Sequence, residues 1–176
     1  MIRELKKLNK DNTPNYAVEG AAFMLSKMRK DLNISPNMVK RFDGNFEDAI
    51  GKICENCRFD IELKDGSKYE FKSWGENAIK QIGRDEGFLK QHLMYLSQTD
   101  NLSKLHYIFD ANKFSNREII LEQFKKMYIN NVDKVLNNMN SNLRASIFGR
   151  GSLSEQKKIF EAMIRDSKSP LYNFIK

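Results

Sequence analysis

Residues 58–74, RFDIELKDGSKYEFKSW, leave this chain few ways to fold. Phe59, Ile61 and Leu63 alternate with Arg58, Asp60, Glu62 and Lys64; beyond Asp65-Gly66, Tyr69 and Phe71 alternate with Lys68, Glu70 and Lys72. That alternation is the period of a strand with one apolar and one charged face. It predicts two strands, near 58–64 and 67–74. For the two apolar faces to coincide the loop must hold an odd number of residues, because a one-residue slip inverts a strand. A loop of Lys64-Asp65-Gly66 meets that condition, with Gly66 in the left-handed position of a bulged turn. Counting back from the loop pairs Leu63 with Ser67, Glu62 with Lys68, Ile61 with Tyr69, and Asp60 with Glu70.

Asp60 thus comes to face Glu70, and like charges directly opposed across two strands destabilise a sheet. A divalent cation is one compensation, since carboxylate oxygens are what Mg²⁺ or Mn²⁺ prefers. Lys72, two residues on, presents an ammonium to the same face. The other reading is a solvent-facing sheet whose carboxylates pair diagonally with Lys64, Lys68 and Lys72. The alternation by itself is compatible with both.

The rest of the chain surrounds this hairpin with helices. Thr13-Pro14 has the form of a helix start, a Thr cap followed by Pro at the first helical position. The helix runs to about Leu32, Pro36 breaks it, and MVKRF reads as a first strand. NFEDAIGKI is open between a short helix and a loop. Residues 76–98 are helical with an interruption at Gly83 and Gly87. LHYIF, 105–109, is an apolar strand bounded by Ser103 and Asp110. Apolar residues then fall at helical spacing from Ser115 to about Met139, and a last helix follows the FGRGS turn at 153–165. Helices laid on a small mixed sheet make an α/β arrangement. With 176 residues and 12 Phe the chain suits one domain, 1–176: a core of about 14–110 and a helical extension of about 115–176.

The net charge of +7 and pI near 9.3 favour a polyanionic partner, although the basic residues are scattered. The two cysteines, in KICENC, lie far from His92 and His106, so a four-ligand zinc site is not in sight. They are expected to be structural cysteines rather than a disulfide or a metal site. No apolar run approaches the roughly 20 residues that cross a bilayer, and MIRELKKLNK carries no secretory signal. The expectation is a soluble chain that something else carries if it leaves the cell.

Asp60, then nine residues, then Glu70-Phe71-Lys72 resembles the D…(D/E)xK signature of the PD-(D/E)XK nuclease superfamily. Those enzymes share a restriction-endonuclease-like αβββαβ core with the Asp and the ExK on adjacent strands. They often add an acidic residue on the first helix, where Glu19 stands here among Tyr16, Ala22, Phe23 and Ser26. Several branches carry a Q-x-x-x-Y pair facing the site; Gln91 and Tyr95 match it and share one helix face. Phe59 stands where the family name has Pro, and Glu62 is a competing carboxylate. The likeness covers about 14–110. It implies metal-dependent phosphodiester hydrolysis, with Asp60, Glu70 and the Phe71 carbonyl holding one or two Mg²⁺ (or Mn²⁺) ions. Lys72 would orient the attacking water or stabilise the transition state. Glu19 would complete the metal shell, Gln91 would contact water or substrate, and Tyr95 would pack beside it. Lys80, Arg84 and Lys90 are candidate phosphate contacts, or an ordinary solvated face.

In length, basic character and the segment FLKQHLMYLSQTDNLSKLHYIFD, the chain also looks like the nuclease domains of bacterial polymorphic, contact-dependent toxins. That likeness implies DNA or tRNA as substrate, delivery into the cytoplasm of a target cell, and a cognate immunity protein capping the site. The alternatives are a non-catalytic nucleic-acid- or protein-binding module, and a restriction or repair endonuclease working in its own cytoplasm.

Overall fold

The computed structural model describes residues 16–45, 54 and 57–176. The Thr13-Pro14 helix start and residues 46–53 of NFEDAIGKI fall outside that range. α1 (Tyr16–Lys30) precedes β1 (Val39–Asn45), β2 (Arg58–Leu63) and β3 (Lys68–Lys72). Then come α2 (Glu76–Ile79), α3 (Glu86–Ser97) and β4 (Leu105–Phe109). Four more helices close the chain: α4 (Glu118–Asn130), α5 (Val132–Asn138), α6 (Ser141–Phe148) and α7 (Leu153–Arg165). The four strands form one mixed sheet in the order β1-β2-β3-β4; the first two pairings are antiparallel and β3-β4 is parallel. A parallel pair needs a long crossover, which α2 and α3 supply.

The hairpin loop follows the parity argument. Ile61 faces Tyr69 and Glu62 faces Lys68, the Leu63 N–H donates to the Ser67 carbonyl, and Gly66 has φ +86°. A residue with a Cβ is disfavoured at that angle. Asp65 secures the turn by accepting from the Ser67 N–H and hydroxyl.

Each face of the sheet carries its own apolar cluster. Met24 and Met28 of α1, one helical turn apart, and Ile34 pack on Ile61, Leu63, Phe71 and Ile108. The larger cluster lies on the other face, where Leu105, Tyr107 and Phe109 meet α3 to α7. β4 is therefore covered on both sides, as a parallel strand usually is. Asp85 caps α3 by accepting from the Phe88 N–H, and a Ser152–Glu155 capping box starts α7.

One open alternative is decided and three sequence expectations change. The charged face of the hairpin is not turned to solvent: Glu62, Lys68, Glu70 and Lys72 are all buried, Glu62 against Lys40 and Arg41 of β1 and the other three against α3 and its C-terminal end. Phe59 parts company with Ile61 and Leu63 and joins the larger cluster, so the alternation breaks at Asp60. The helical pattern of 115–139 divides at Asn131 into α4 and α5, and α6 forms from residues before the FGRGS turn, capped by Asn140. Cys54 and Cys57 are joined in a disulfide whose residues pack against the larger cluster.

The last residues finish the sheet. The Tyr107 N–H donates to the Phe174 carbonyl and the Lys176 N–H to the Tyr107 carbonyl, a bridge that pairs Tyr107 with Ile175 along the outer edge of β4. Phe174 and Ile175 are themselves buried.

Candidate active site

The site begins where the hairpin opens. Continuing the register of Ile61↔Tyr69 would set Phe59 against Phe71. Instead the Phe71 N–H donates to Asp60 Oδ2 at 2.7 Å, so a carboxylate stands in for a ladder bond. The N–H and C=O of a strand residue leave from the same edge, and the Phe71 carbonyl is thus directed towards the Asp60 side as well.

Beside this opening, β3 and α3 hold a compact charged group. Lys72 Nζ lies 2.5 Å from Glu70 Oε1 and 3.3 Å from Gln91 Oε1. Gln91 Nε2 donates to Glu70 Oε1 at 3.1 Å and to the Arg58 carbonyl at 2.8 Å. The Tyr95 hydroxyl donates to Glu70 Oε2 at 2.5 Å. The Lys72 ammonium also sits 4.6 Å from the Trp74 ring centre, a cation–π contact that adds to its hold on Glu70 and Gln91. Removing one member of a buried pair of this kind costs about 3–5 kcal/mol, because the other charge stays desolvated.

Electrostatics sets Asp60 apart. Burial, then the neighbouring Glu70 carboxylate, push its carboxyl up to about 7, against the opposing pull of the Phe71 N–H and Lys72. Such a carboxyl is short of positive charge. Glu62 is the reverse: burial works upward, but Arg41 (2.7 Å) and Lys40 (3.3 Å) outweigh it and hold the group below its ordinary range. The Tyr95 hydroxyl is raised well above the ordinary value by burial and by Glu70.

Of the residues expected from sequence, Asp60, Glu70, Lys72, Gln91 and Tyr95 meet here. Glu19 is half exposed, bonded to Lys113 at 2.6 Å, and lines a separate cleft with Ser73 and Asp110. Its side chain leaves α1 towards Lys113, in a cleft that Ala22, Phe23 and Ser26 also line. Lys80 is paired with Glu76, Lys90 stands 4.0 Å from Glu86, and Arg84 borders a hollow against α4 and α5. Sequence reasoning missed Trp74 and the Arg58 carbonyl. The aromatic two residues after Lys72 was a readable signal for the first; the second is backbone and left none.

A cation could be held here by the Asp60 and Glu70 carboxylates with the Phe71 carbonyl. Among the described residues no group of three or more His, Cys, Asp or Glu could hold a metal. Two carboxylates fit Mg²⁺ nonetheless, which keeps several waters and uses one or two protein carboxylates plus substrate phosphates. The Asp60 carboxyl, raised by burial and by Glu70, is the group whose ionised form a bound cation would favour most.

The fold and site define a mixed α/β protein with a buried carboxylate–lysine group at the opening of a hairpin. No family model matches the chain, and no curated protein or solved structure matches it. No helix among the described residues is long and apolar enough to cross a membrane.

Proposed function

We propose that the chain is a Mg²⁺-dependent nuclease with a restriction-endonuclease-like core, cutting phosphodiester bonds in DNA or tRNA. The observation that carries the reading is the meeting of Asp60, Glu70 and Lys72, from a D…ExK pattern, with Gln91 and Tyr95 from the following helix. Bound Mg²⁺ would supply Lewis-acid activation of the phosphate and of a water. The chain's own groups do the rest. Tyr95 and Gln91 fix both oxygens of Glu70, so that carboxylate cannot rotate. The Phe71 N–H does the same for Asp60. Lys72, steadied by Trp74 and Gln91, supplies the cation that faces charge developing on the phosphate.

The toxin likeness extends the proposal: an effector domain delivered into a competitor's cytoplasm, and a cognate immunity protein bound over the site. One observation favours the non-catalytic alternative. Every Glu70 oxygen already has a protein partner, as in a purely structural network. Incubation with plasmid DNA and with total tRNA, in Mg²⁺ or EDTA, separates the two. The nuclease reading expects metal-dependent cutting of one polymer that disappears in Glu70→Gln and Lys72→Ala. Binding without cutting under any metal leaves the module.

A further inference from the structure

The opening at Asp60 continues into a cleft of about 560 Å³ between α1 and the β1–β2 edge. Ala17, Gly20, Ala21 and Met24 form one wall; Phe42, Asp43, Arg58, Asp60 and Phe71 form the other. The size is that of a small-molecule site rather than a packing defect.

Gly20 is the first indication that the space is meant to be open. It sits inside α1, where glycine costs stability relative to alanine. Its φ is not positive, and a Cβ built on it would meet none of the described residues within 4 Å. Neither backbone angle nor packing therefore requires glycine there. The room its missing side chain leaves belongs to the cleft.

The opposite wall is chemically mixed. Phe42 is 41% exposed, on β1 at the mouth of the cleft. Among the described residues the Arg58 side chain is paired with Asp43, at 3.1 Å, and both side chains are more than half exposed. An ion pair so exposed is worth about 0–1 kcal/mol, so Arg58 can exchange Asp43 for a phosphate at little cost. Among the described residues of the lining, this cation faces two carboxylates, Asp43 and Asp60. A duplex presents phosphates in rows and calls for a basic wall. One exposed cation and one exposed aromatic ring, Phe42, with Phe71 buried behind it, suit a single nucleotide. A base can lie on Phe42 only when it is out of its own stack.

We propose that this cleft is a subsite for one unpaired nucleotide, its base against Phe42 and its phosphate on Arg58. The chain then acts on single-stranded or locally opened nucleic acid. The inference rests on the nuclease reading for the identity of the ligand.

The test is fluorescence anisotropy with labelled single-stranded DNA and RNA of about 12 nucleotides, and with the matching DNA duplex. The protein is Glu70→Gln, or the unaltered chain in EDTA should that variant not fold. The proposal expects either single strand to bind about tenfold tighter than the duplex. Phe42→Ala and Gly20→Leu should each remove most of that preference, and Phe42→Trp should keep it. Gly20→Leu should melt no lower than the parent, which separates a blocked cleft from a damaged fold. Equal binding of strand and duplex, or full single-strand affinity in Gly20→Leu, overturns the subsite; metal-dependent cutting of plasmid or tRNA would then still uphold the nuclease. Single-strand preference that is lost in Gly20→Leu, without cutting under any metal, upholds the subsite and overturns the nuclease. Absence of all binding overturns both.

Discussion

Asp60 and His92 pull the pH dependence of stability in opposite directions. Asp60 has its folded-state carboxyl raised to about 7 from 3.8, chiefly by burial and Glu70. Its contribution is complete below about pH 4 and is lost as pH rises towards 7. His92 is buried, bonded through one ring nitrogen to the Tyr107 hydroxyl and through the other to that of Tyr128. Burial lowers its folded value to about 3, so its contribution is present above about 6.5 and is lost as pH falls. Each carries a slope of up to about 1.4 kcal/mol per pH unit, of opposite sign. Between pH 4 and 6.5 they offset. Urea unfolding of Asp60→Asn across that range is expected to expose the histidine slope, chiefly that of His92 with a part from His106, which burial also lowers, so that stability rises as pH rises; a flat profile would refute the assignment. At Tyr95, Phe removes one hydrogen bond to a buried carboxylate, and a loss of about 1–3 kcal/mol is expected by the same measurement.

Among the elements, the hairpin and α1 each hinge on one glycine, with opposite consequences. Gly66 at φ +86° closes the three-residue loop that sets Ile61 against Tyr69 and Glu62 against Lys68. Gly66→Ala is expected to cost about 1 kcal/mol, read as a lower midpoint in thermal melting. Gly20 has ordinary backbone angles and open space where a Cβ would go. Gly20→Ala is expected to stabilise α1 by up to about 1 kcal/mol, through helix propensity alone. Finding both changes destabilising would mean that Gly20 has a packing role. α3 matters in another way: Asp85 caps its start and its buried face holds Gln91 and Tyr95 on Glu70. The site's rigidity is thus that of a capped helix packed on a sheet rather than of a loop.

At the scale of the molecule, the chain's last residues complete the core. Phe174 and Ile175 are buried in the larger cluster and their backbone bonds the outer edge of β4. Two such side chains contribute about 1.5–3 kcal/mol each, against a typical whole-domain stability of about 5–15 kcal/mol. Deleting residues 173–176 is expected to lower the melting temperature by more than about 10 °C or to abolish cooperative unfolding. An unchanged melting curve would place the C-terminal strand pairing outside the cooperative unit.

Local chemistry determined much of this protein from sequence. Alternation and loop parity set the hairpin and its register, and the helical spacing of 153–165 set α7. The pairing of Gln91 with Tyr95 on one face follows from the pitch of α3, whatever the helix packs against. Burial was not legible. Lys68, Glu70 and Lys72 read as a charged face, and charge alternation is the same whether that face meets water or, as here, a cover of helices that pairs each charge. The break at Asp60 was equally hidden, since period two assumes an unbroken ladder and only the tertiary structure puts a carboxylate in place of one of its bonds. Glu19 matched a pattern by position, but where its side chain went was decided by Lys113, 94 residues away. The α1 cleft arises only where a helix and a sheet edge meet, a juxtaposition that no local pattern encodes.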